Sequence, residues 1–322
     1  MARVAVVGSF NVDHVWRAPR LPRPGETLAG EYATGPGGKG FNQAVAARRA
    51  GADTAFVCAL GGDDGGALAR RLAADEGIGL HARDADAPTG TAGIYTDPEG
   101  RNSIVIGPGA NAMLDPAFVR ARGAVLGAAA VVLAQLESPR DSVFAALTAA
   151  RAAGAVAMLN PAPANADVDA ELLATCDLIT PNETEFASLL AAHGHGEVDP
   201  DAVAGMDEGS LHALCRALLP EGSVVVTLGT AGVFVSHPAG RDHGDGRAHY
   251  RVAAERVATV DSTGAGDAFN GALAAALAAG RGGRFADDVR FASRYAALST
   301  ERHGAAGSMP ARAEVQKRFG HD

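Results

Sequence analysis

The segment Asp261-Ser262-Thr263-Gly264-Ala265-Gly266-Asp267-Ala268 concentrates residues that could do chemistry. Its glycines and alanine allow a sharp turn into the apolar run Ala268–Ala279, which has a helical pattern. Small residues let backbone N–H groups crowd an anion at a helix N-terminus, where the dipole and the unpaired donors both favour negative charge. Asp267 falls in the first helical turn. A carboxylate there can take a proton from a substrate hydroxyl as that hydroxyl attacks a phosphorus held by the amides. Taken alone, the plainer reading of Asp267 as a helix cap is favoured.

A second glycine-rich segment, Gly35-Pro36-Gly37-Gly38-Lys39-Gly40-Phe41-Asn42-Gln43, contains the spacing GxGxxG. It is not a dinucleotide fingerprint, which belongs in the turn after the first strand, and Phe41 stands where a Walker A loop needs Lys-Ser/Thr. It can bring backbone close to a small polar ligand, with Lys39 and Asn42 as donors. Asn11 and Asp13 lie just past the end of the first predicted strand, and Glu137 lies past another. In open α/β sheets ligands bind at such strand ends. Carboxylates and amides converging there suit a polyhydroxylated ligand, although capping roles account for each residue equally well on its own.

The elements that must position these residues alternate along the chain. Strands are predicted at Val4–Gly8, Asp53–Leu60, Ala130–Leu136, Ala155–Leu159, Leu178–Thr180 and Ser223–Gly229. Helices are predicted at Gly40–Ala50, Asp64–Glu76, Pro116–Leu126, Arg140–Ala153, Glu183–Ala192, Leu211–Leu219, Ala268–Ala279 and Phe285–Glu301. This alternation implies βαβ units and a mainly parallel sheet with helices on both faces. The stretches 11–36 and 89–107 break the rhythm and read as β excursions forming a lid on one domain spanning residues 1–322. The segments His193–Ser210 and His237–His249, rich in Gly, Asp and His, read as solvated surface loops and not as metal sites.

Composition limits the partners. The formal charge of −9 argues against a nucleic-acid backbone or an anionic membrane. The longest apolar run, near Gly123–Leu136, is shorter than the ~20 residues a spanning helix needs. Cys58, Cys176 and Cys215 lack metal-ligand spacing and read as reduced thiols of a cytoplasmic protein.

Together the segments GSFNVDH (8–14), GPGGKGFNQAVAA (35–47), QLESP (135–139), LNPAPA (159–164), TPNETE (180–185), TLGTAGV (227–233), DSTGAGDAFNGAL (261–273) and RHGAAGSMP (302–310) resemble the ribokinase family, the phosphofructokinase-B carbohydrate kinases. The resemblance spans nearly the whole chain in order. It implies a three-layer α/β sandwich with a small β lid, and ATP-dependent phosphorylation of the 5-hydroxyl of D-ribose. By the same resemblance Asn11, Asp13, Gly38, Lys39, Asn42 and Glu137 hold the sugar and Asp267 is the base. The amides of Gly264, Ala265 and Gly266 form an anion hole. Asn182 and Glu185 act on Mg²⁺ and phosphates mostly through water, and Thr227, Gly229, Gly232 and Ser293 face the nucleotide together with Gly266. A monovalent cation, potassium in the family, is expected near Asp261, Thr263, Ser299, Arg302, Gly304 and Ser308, and a homodimer through the lid.

Two departures bear on specificity. Phe41 replaces the family's alanine beside Asn42 and either reshapes the sugar pocket or packs inward, the second being favoured. Ser293 stands where the family often places His or Asn against adenine. The alternatives are a kinase for deoxyribose, fructose or a nucleoside, or a sugar-binding regulator without catalysis. A dinucleotide-dependent dehydrogenase rests only on GxGxxG.

Overall fold

The computed structural model describes residues 3–280 and 283–320. Its strands, in chain order, are β1 Arg3–Val7, β2 Asn11–Arg17, β3 Glu31–Gly37, β4 Asp53–Gly61, β5 Gly79–Ala85, β6 Gly90–Thr96 and β7 Asn102–Gly107. They continue with β8 Val131–Ala134, β9 Val156–Leu159, β10 Leu178–Ile179, β11 Ser223–Thr227, β12 Val233–Ser236 and β13 His249–Val252. Nine form one sheet in the order β13-β12-β11-β10-β9-β8-β1-β4-β5. Its pairs are parallel except β11–β12 and β12–β13.

The central strands are Val- and Ala-rich and buried along their length, as a sheet covered on both faces requires. Val4 and Val6 face one apolar cluster, and Ala5 and Val7 face another across the sheet. Helices Lys39–Arg49, Ala265–Ala279 and Phe285–Ser299 contribute to the first cluster; Arg140–Ala152 and Glu183–Ala192 contribute to the second.

Helices Lys39–Arg49 and Ala265–Ala279 approach each other at Gly271. A β-carbon there would lie 2.4 Å from the Gln43 carbonyl oxygen and 2.5 Å from the Ala46 side chain. This close crossing brings Asp267 to Asn42 and Gln43.

A second, four-stranded sheet has the order β3-β2-β6-β7. It contains the two predicted excursions and joins the main sheet at Asn11, immediately after the turn that follows β1.

The predicted helix Pro116–Leu126 is two short helices, Pro116–Arg120 and Gly123–Gly127, because the backbone leaves helical geometry at Arg122. The helix after the glycine turn starts at Ala265, three residues earlier than predicted, because Gly264 adopts a left-handed φ of 76° and caps it. The segment 193–210 contains a helix, Pro200–Val203, and the start of another at Glu208. Reading 237–249 wholly as solvated loop was wrong. His237 is fully buried, with Nδ1 2.9 Å from Ser223 Oγ and Nε2 3.1 Å from Asp245 Oδ2. Strands β5, β12 and β13 were not predicted. Among the described residues no helix is long and apolar enough to cross a membrane.

Candidate active site

The carboxyl ends of β1, β8, β9, β10 and β11 lead into Ser9, Gln135, Asn160, Thr180 and the segment after Thr227. Over these ends lie the N-termini of helices Lys39–Arg49, Glu183–Ala192 and Ala265–Ala279. The first and third of these helices open on glycines with positive φ, Gly38 at 86° and Gly264 at 76°. Gly38 must be small, since a β-carbon would lie 2.7 Å from the Asn11 nitrogen.

Asp267 is buried at the third position of its helix. Its Oδ2 accepts from Asn42 Nδ2 and its Oδ1 from Gln43 Nε2, each at 2.9 Å. Burial pushes its carboxyl above the ordinary value, while Lys39 and the two amides hold it back. Burial acts to lower the Lys39 ammonium, but Asp267, Glu137 and Glu185 outweigh it and raise its value, so Lys39 is a firm cation.

Glu137 Oε2 accepts from Ser9 Oγ at 2.6 Å and from the Lys39 backbone N–H at 3.0 Å. Asp13, on β2, is pushed up to about 7 by burial, then by Glu137 and Asp267. Asn11 is buried with its Oδ1 held by Asn111 Nδ2 at 2.8 Å, which turns its own amide N–H outward as a donor. Asn42 Oδ1 is buried with no partner. An orphaned buried acceptor costs on the order of 1–3 kcal/mol, a cost that a hydroxyl donor reaching it would relieve. All six residues expected to hold sugar therefore gather with Asp267.

The residues expected to face phosphates and nucleotide occupy the neighbouring helix and strand ends, except Ser293, which lies in the middle of helix Phe285–Ser299. Asn182 caps helix Glu183–Ala192 in a capping box with Glu185: its Oδ1 accepts from the Glu185 N–H at 2.8 Å, and Glu185 Oε2 accepts from the Asn182 N–H at 3.0 Å. Glu185 is raised by burial, against the pull of the Asn182 N–H and Lys39. Asn182 bridges to Thr227, and Gly229 and Gly232 follow with φ of 51° and 93°. A β-carbon at Gly232 would lie 2.1 Å from the Val252 carbonyl oxygen. Ser293 is buried in helix Phe285–Ser299.

The residues expected near a monovalent cation also come together in part. Asp261 accepts from the Thr263 and Gly304 N–H groups at 2.9 Å each; burial works against its charge, and these bonds outweigh it and lower its value. Ala305 packs against Gly264, where a β-carbon would meet it at 2.9 Å. Ser299 and Ser308 hydroxyls are satisfied by the Ala296 and Ala305 carbonyls. The Arg302 guanidinium is drawn away to Glu314. In the anion-hole segment, the Ala265 N–H donates to the Ser262 carbonyl at 3.1 Å and is engaged in this conformation.

Residues not singled out from sequence complete the site. Ser9 and Asn111 orient Glu137 and Asn11, and Gln43 orients Asp267. The signal in the sequence is Gln43 opening the apolar run Ala44–Ala47 on a buried helix; Asn111 carries no such mark. Phe41 packs inward, with its ring 5.1 Å from Phe10 and 6.0 Å from Phe56.

A buried carboxylate and an ammonium at a helix start, beside convergent hydroxyl-binding groups at the strand ends, define an α/β enzyme that transfers a phosphoryl group to a polyol. The profile described as pfkB family carbohydrate kinase matches residues 1–312, and the chain belongs to that family. It is 38% identical over 323 residues to a ribokinase of Haemophilus influenzae, covering 99% of this chain and 98% of that protein. The structure of ribokinase from Giardia lamblia superposes with a TM-score of 0.86 at 30% identity, covering 99% of this chain and 98% of that one. The structure of Arabidopsis thaliana ribokinase complexed with ribose and ATP superposes with a TM-score of 0.85 at 30% identity, covering both chains fully.

Proposed function

We propose that the protein phosphorylates the 5-hydroxyl of D-ribose from ATP, with Asp267 as the base. The observation that carries this reading is the gathering of Asp13, Lys39, Asn42 and Glu137 around the buried Asp267 at the ends of the strands. Such a gathering rejects a sugar lacking a matching hydroxyl, since each unpaired buried group costs roughly 1–3 kcal/mol. The Arabidopsis structure with ribose and ATP supports both substrates. The sugar hydroxyl loses its proton to Asp267 as it attacks the γ-phosphorus, the bond from that phosphorus to the β,γ-bridging oxygen breaks, and ADP leaves with the bond's electron pair, while the charge on the transferring group falls to amides at Gly264, Ala265 and Gly266 and to Lys39. Using the Ala265 amide requires its bond to Ser262 to open.

A hydrated magnesium ion carried on the phosphates would be held through its water by Asn182 and Glu185. Asn182 and Glu185 fit this role: the capping box uses Glu185 Oε2, and the second oxygen of the buried carboxylate can accept from a hydrated ion. Thr227, Gly229, Gly232 and Ser293 line the nucleotide side. A potassium ion held by backbone oxygens around Asp261, Thr263, Ser299, Arg302, Gly304 and Ser308 would order the Gly264–Ala305 contact and through it the helix start. The small β sheet acts as the lid of a single domain and as the contact of a homodimer. Three buried free thiols suit a cytoplasmic location.

The test is ADP release with MgATP and potassium across ribose, deoxyribose, fructose, adenosine and inosine. Ribose leading by at least tenfold in kcat/KM, with activity lost when sodium replaces potassium, supports the reading. A nucleoside or hexose in the lead overturns the substrate, and turnover indifferent to the cation overturns the cation site.

A further inference from the structure

Behind Asp267 runs a line of buried polar side chains that does not reach the sugar side. Gln43 is fully buried, and each end of its amide is engaged by protein. Its Nε2 donates to Asp267 Oδ1 at 2.9 Å and to Asn160 Oδ1 at 3.0 Å, and its Oε1 accepts from Gln135 Nε2. Asn160 Nδ2 passes the line to the Thr180 carbonyl at 3.1 Å. The Thr180 hydroxyl donates to Asn270 Oδ1, and Asn270 Nδ2 donates to the Gly266 carbonyl at 2.8 Å. The line therefore begins under the ends of β8 and β9, touches the base, and ends on the glycine of the anion-hole segment.

The line has a direction. Turning the Gln43 amide over would set its oxygen against the Asp267 carboxylate and the Asn160 oxygen, and its nitrogen against the Gln135 donor. Gln135 is fully buried, and room for it exists only because residue 8 is glycine: a β-carbon there would lie 2.1 Å from Gln135 Oε1. A donor fixed in this way favours the charged form of the carboxylate it faces and limits its rotation.

We propose that Gln43, oriented by Gln135 and Asn160, is a positioning residue for phosphoryl transfer, holding Asp267 as an aimed carboxylate and tying it to the backbone of Gly266. This rests on the reading of Asp267 as the base. The other groups facing Asp267 are Lys39 and Asn42 at the start of helix Lys39–Arg49, Glu137 after β8, Asp13 on β2 and Glu185 on helix Glu183–Ala192. None of them is changed in the test. Titration of Asp13 bears on sugar capture, so kcat at saturating ribose and MgATP is the quantity that reports on Asp267.

The experiment is the pH profile of kcat for Gln43→Met, Gln43→Glu and Gln135→Met beside the parent protein and Asp267→Asn. Gln43→Met is expected to lower kcat at neutral pH by about 10- to 100-fold. Its ribose KM should stay within about threefold of the parent, and its acid limb should move up by about one pH unit, so that up to about tenfold of the loss is recovered at alkaline pH. Gln43→Glu, which sets a second carboxyl against Asp267, should move the limb further. Should Gln43→Met fail to fold, Gln135→Met removes one of the two groups that orient the amide, Asn160 remaining, and should shift the limb the same way by less. An acid limb that overlays the parent's in the folded variants overturns the proposal, as does a loss confined to KM. If Asp267→Asn is inactive while the Gln43 profile does not move, this inference alone falls. If Asp267→Asn keeps a tenth of parental turnover, the base reading falls with it.

Discussion

Asp267 occupies a position where a helix cap and a catalytic base are hard to tell apart by type, and its partners speak against the cap. A cap would accept backbone N–H groups, whereas both oxygens here accept side-chain amides from a different helix. Asp267→Asn should lower kcat by about 1,000-fold or more while ribose binding, followed by ligand-induced thermal shift, survives. A variant with a tenth of parental turnover would refute the assignment. Asp13 makes a second residue-scale prediction. In the folded protein its carboxyl holds a proton up to about pH 7, against a usual value of 3.8. Between those values the folded state binds the extra proton, so the contribution of Asp13 to stability falls as pH rises, and its full cost is present above pH 7. Asp13→Asn should therefore gain stability relative to the parent on going from pH 4 to pH 8, by roughly 1–4 kcal/mol, and lose ribose affinity because an amide accepts fewer hydroxyls. Urea melts at both pH values check the first part; a pH-independent difference would refute it.

The start of helix Ala265–Ala279 is set by its cap Gly264, which packs against Ala305 and locks the glycine turn onto the segment after helix Phe285–Ser299. A side chain at 264 would meet both a left-handed φ, costing about 1–2 kcal/mol, and a contact with Ala305 too short to keep. Gly264→Ala should accordingly lower the midpoint of thermal unfolding and cut kcat by about 100- to 1,000-fold as the amides lose their aim; kcat within threefold of the parent would show that the turn tolerates the shift. This same turn marks how far the sequence could be read. The type and order of most elements followed from alternating apolar patterns, though not strands β5, β12 and β13, and the candidate site residues came from short motifs at strand ends and helix starts and from the family resemblance those motifs carry. The helix start was misplaced at Ala268 because glycine and alanine carry no boundary of their own. The anchoring of 237–249 was missed because His237 acquires its meaning from Ser223 and Asp245, partners that only the folded chain brings together. Gln43 and Asn111 escaped for the same reason: a buried amide is defined by what it bonds, and its neighbours lie 92 to 224 residues away for Gln43 and 100 for Asn111.

At the scale of the whole molecule the two sheets divide the work, and the smaller one has a surface the chain does not cover. Along β2 the side chains alternate, and cross-strand register sets Asn11 and Asp13 on one face and His14 and Trp16 on the other. Trp16 lies opposite Tyr32 of β3 and Tyr95 of β6, with ring centroids 5.2 Å apart in both pairs. Register carries Val105 of β7 onto this same outer face, where it is 68% exposed and Tyr32 is 55% exposed. β7 is also an edge strand with an apolar run, Ile104-Val105-Ile106, open to solvent. An uncovered apolar edge of this kind invites pairing unless something shields it. A second copy of the chain meeting outer face to outer face would cover both the edge and the aromatic row, and would brace the strand that carries Asn11 and Asp13. Val105→Asp should then turn a dimer into a monomer by light scattering and raise the ribose KM several-fold, with kcat at saturation little changed, since Asp267 and its partners lie on the main body. A parent protein that is strictly monomeric at assay concentrations, or a Val105→Asp variant that remains dimeric, would assign the outer face another role.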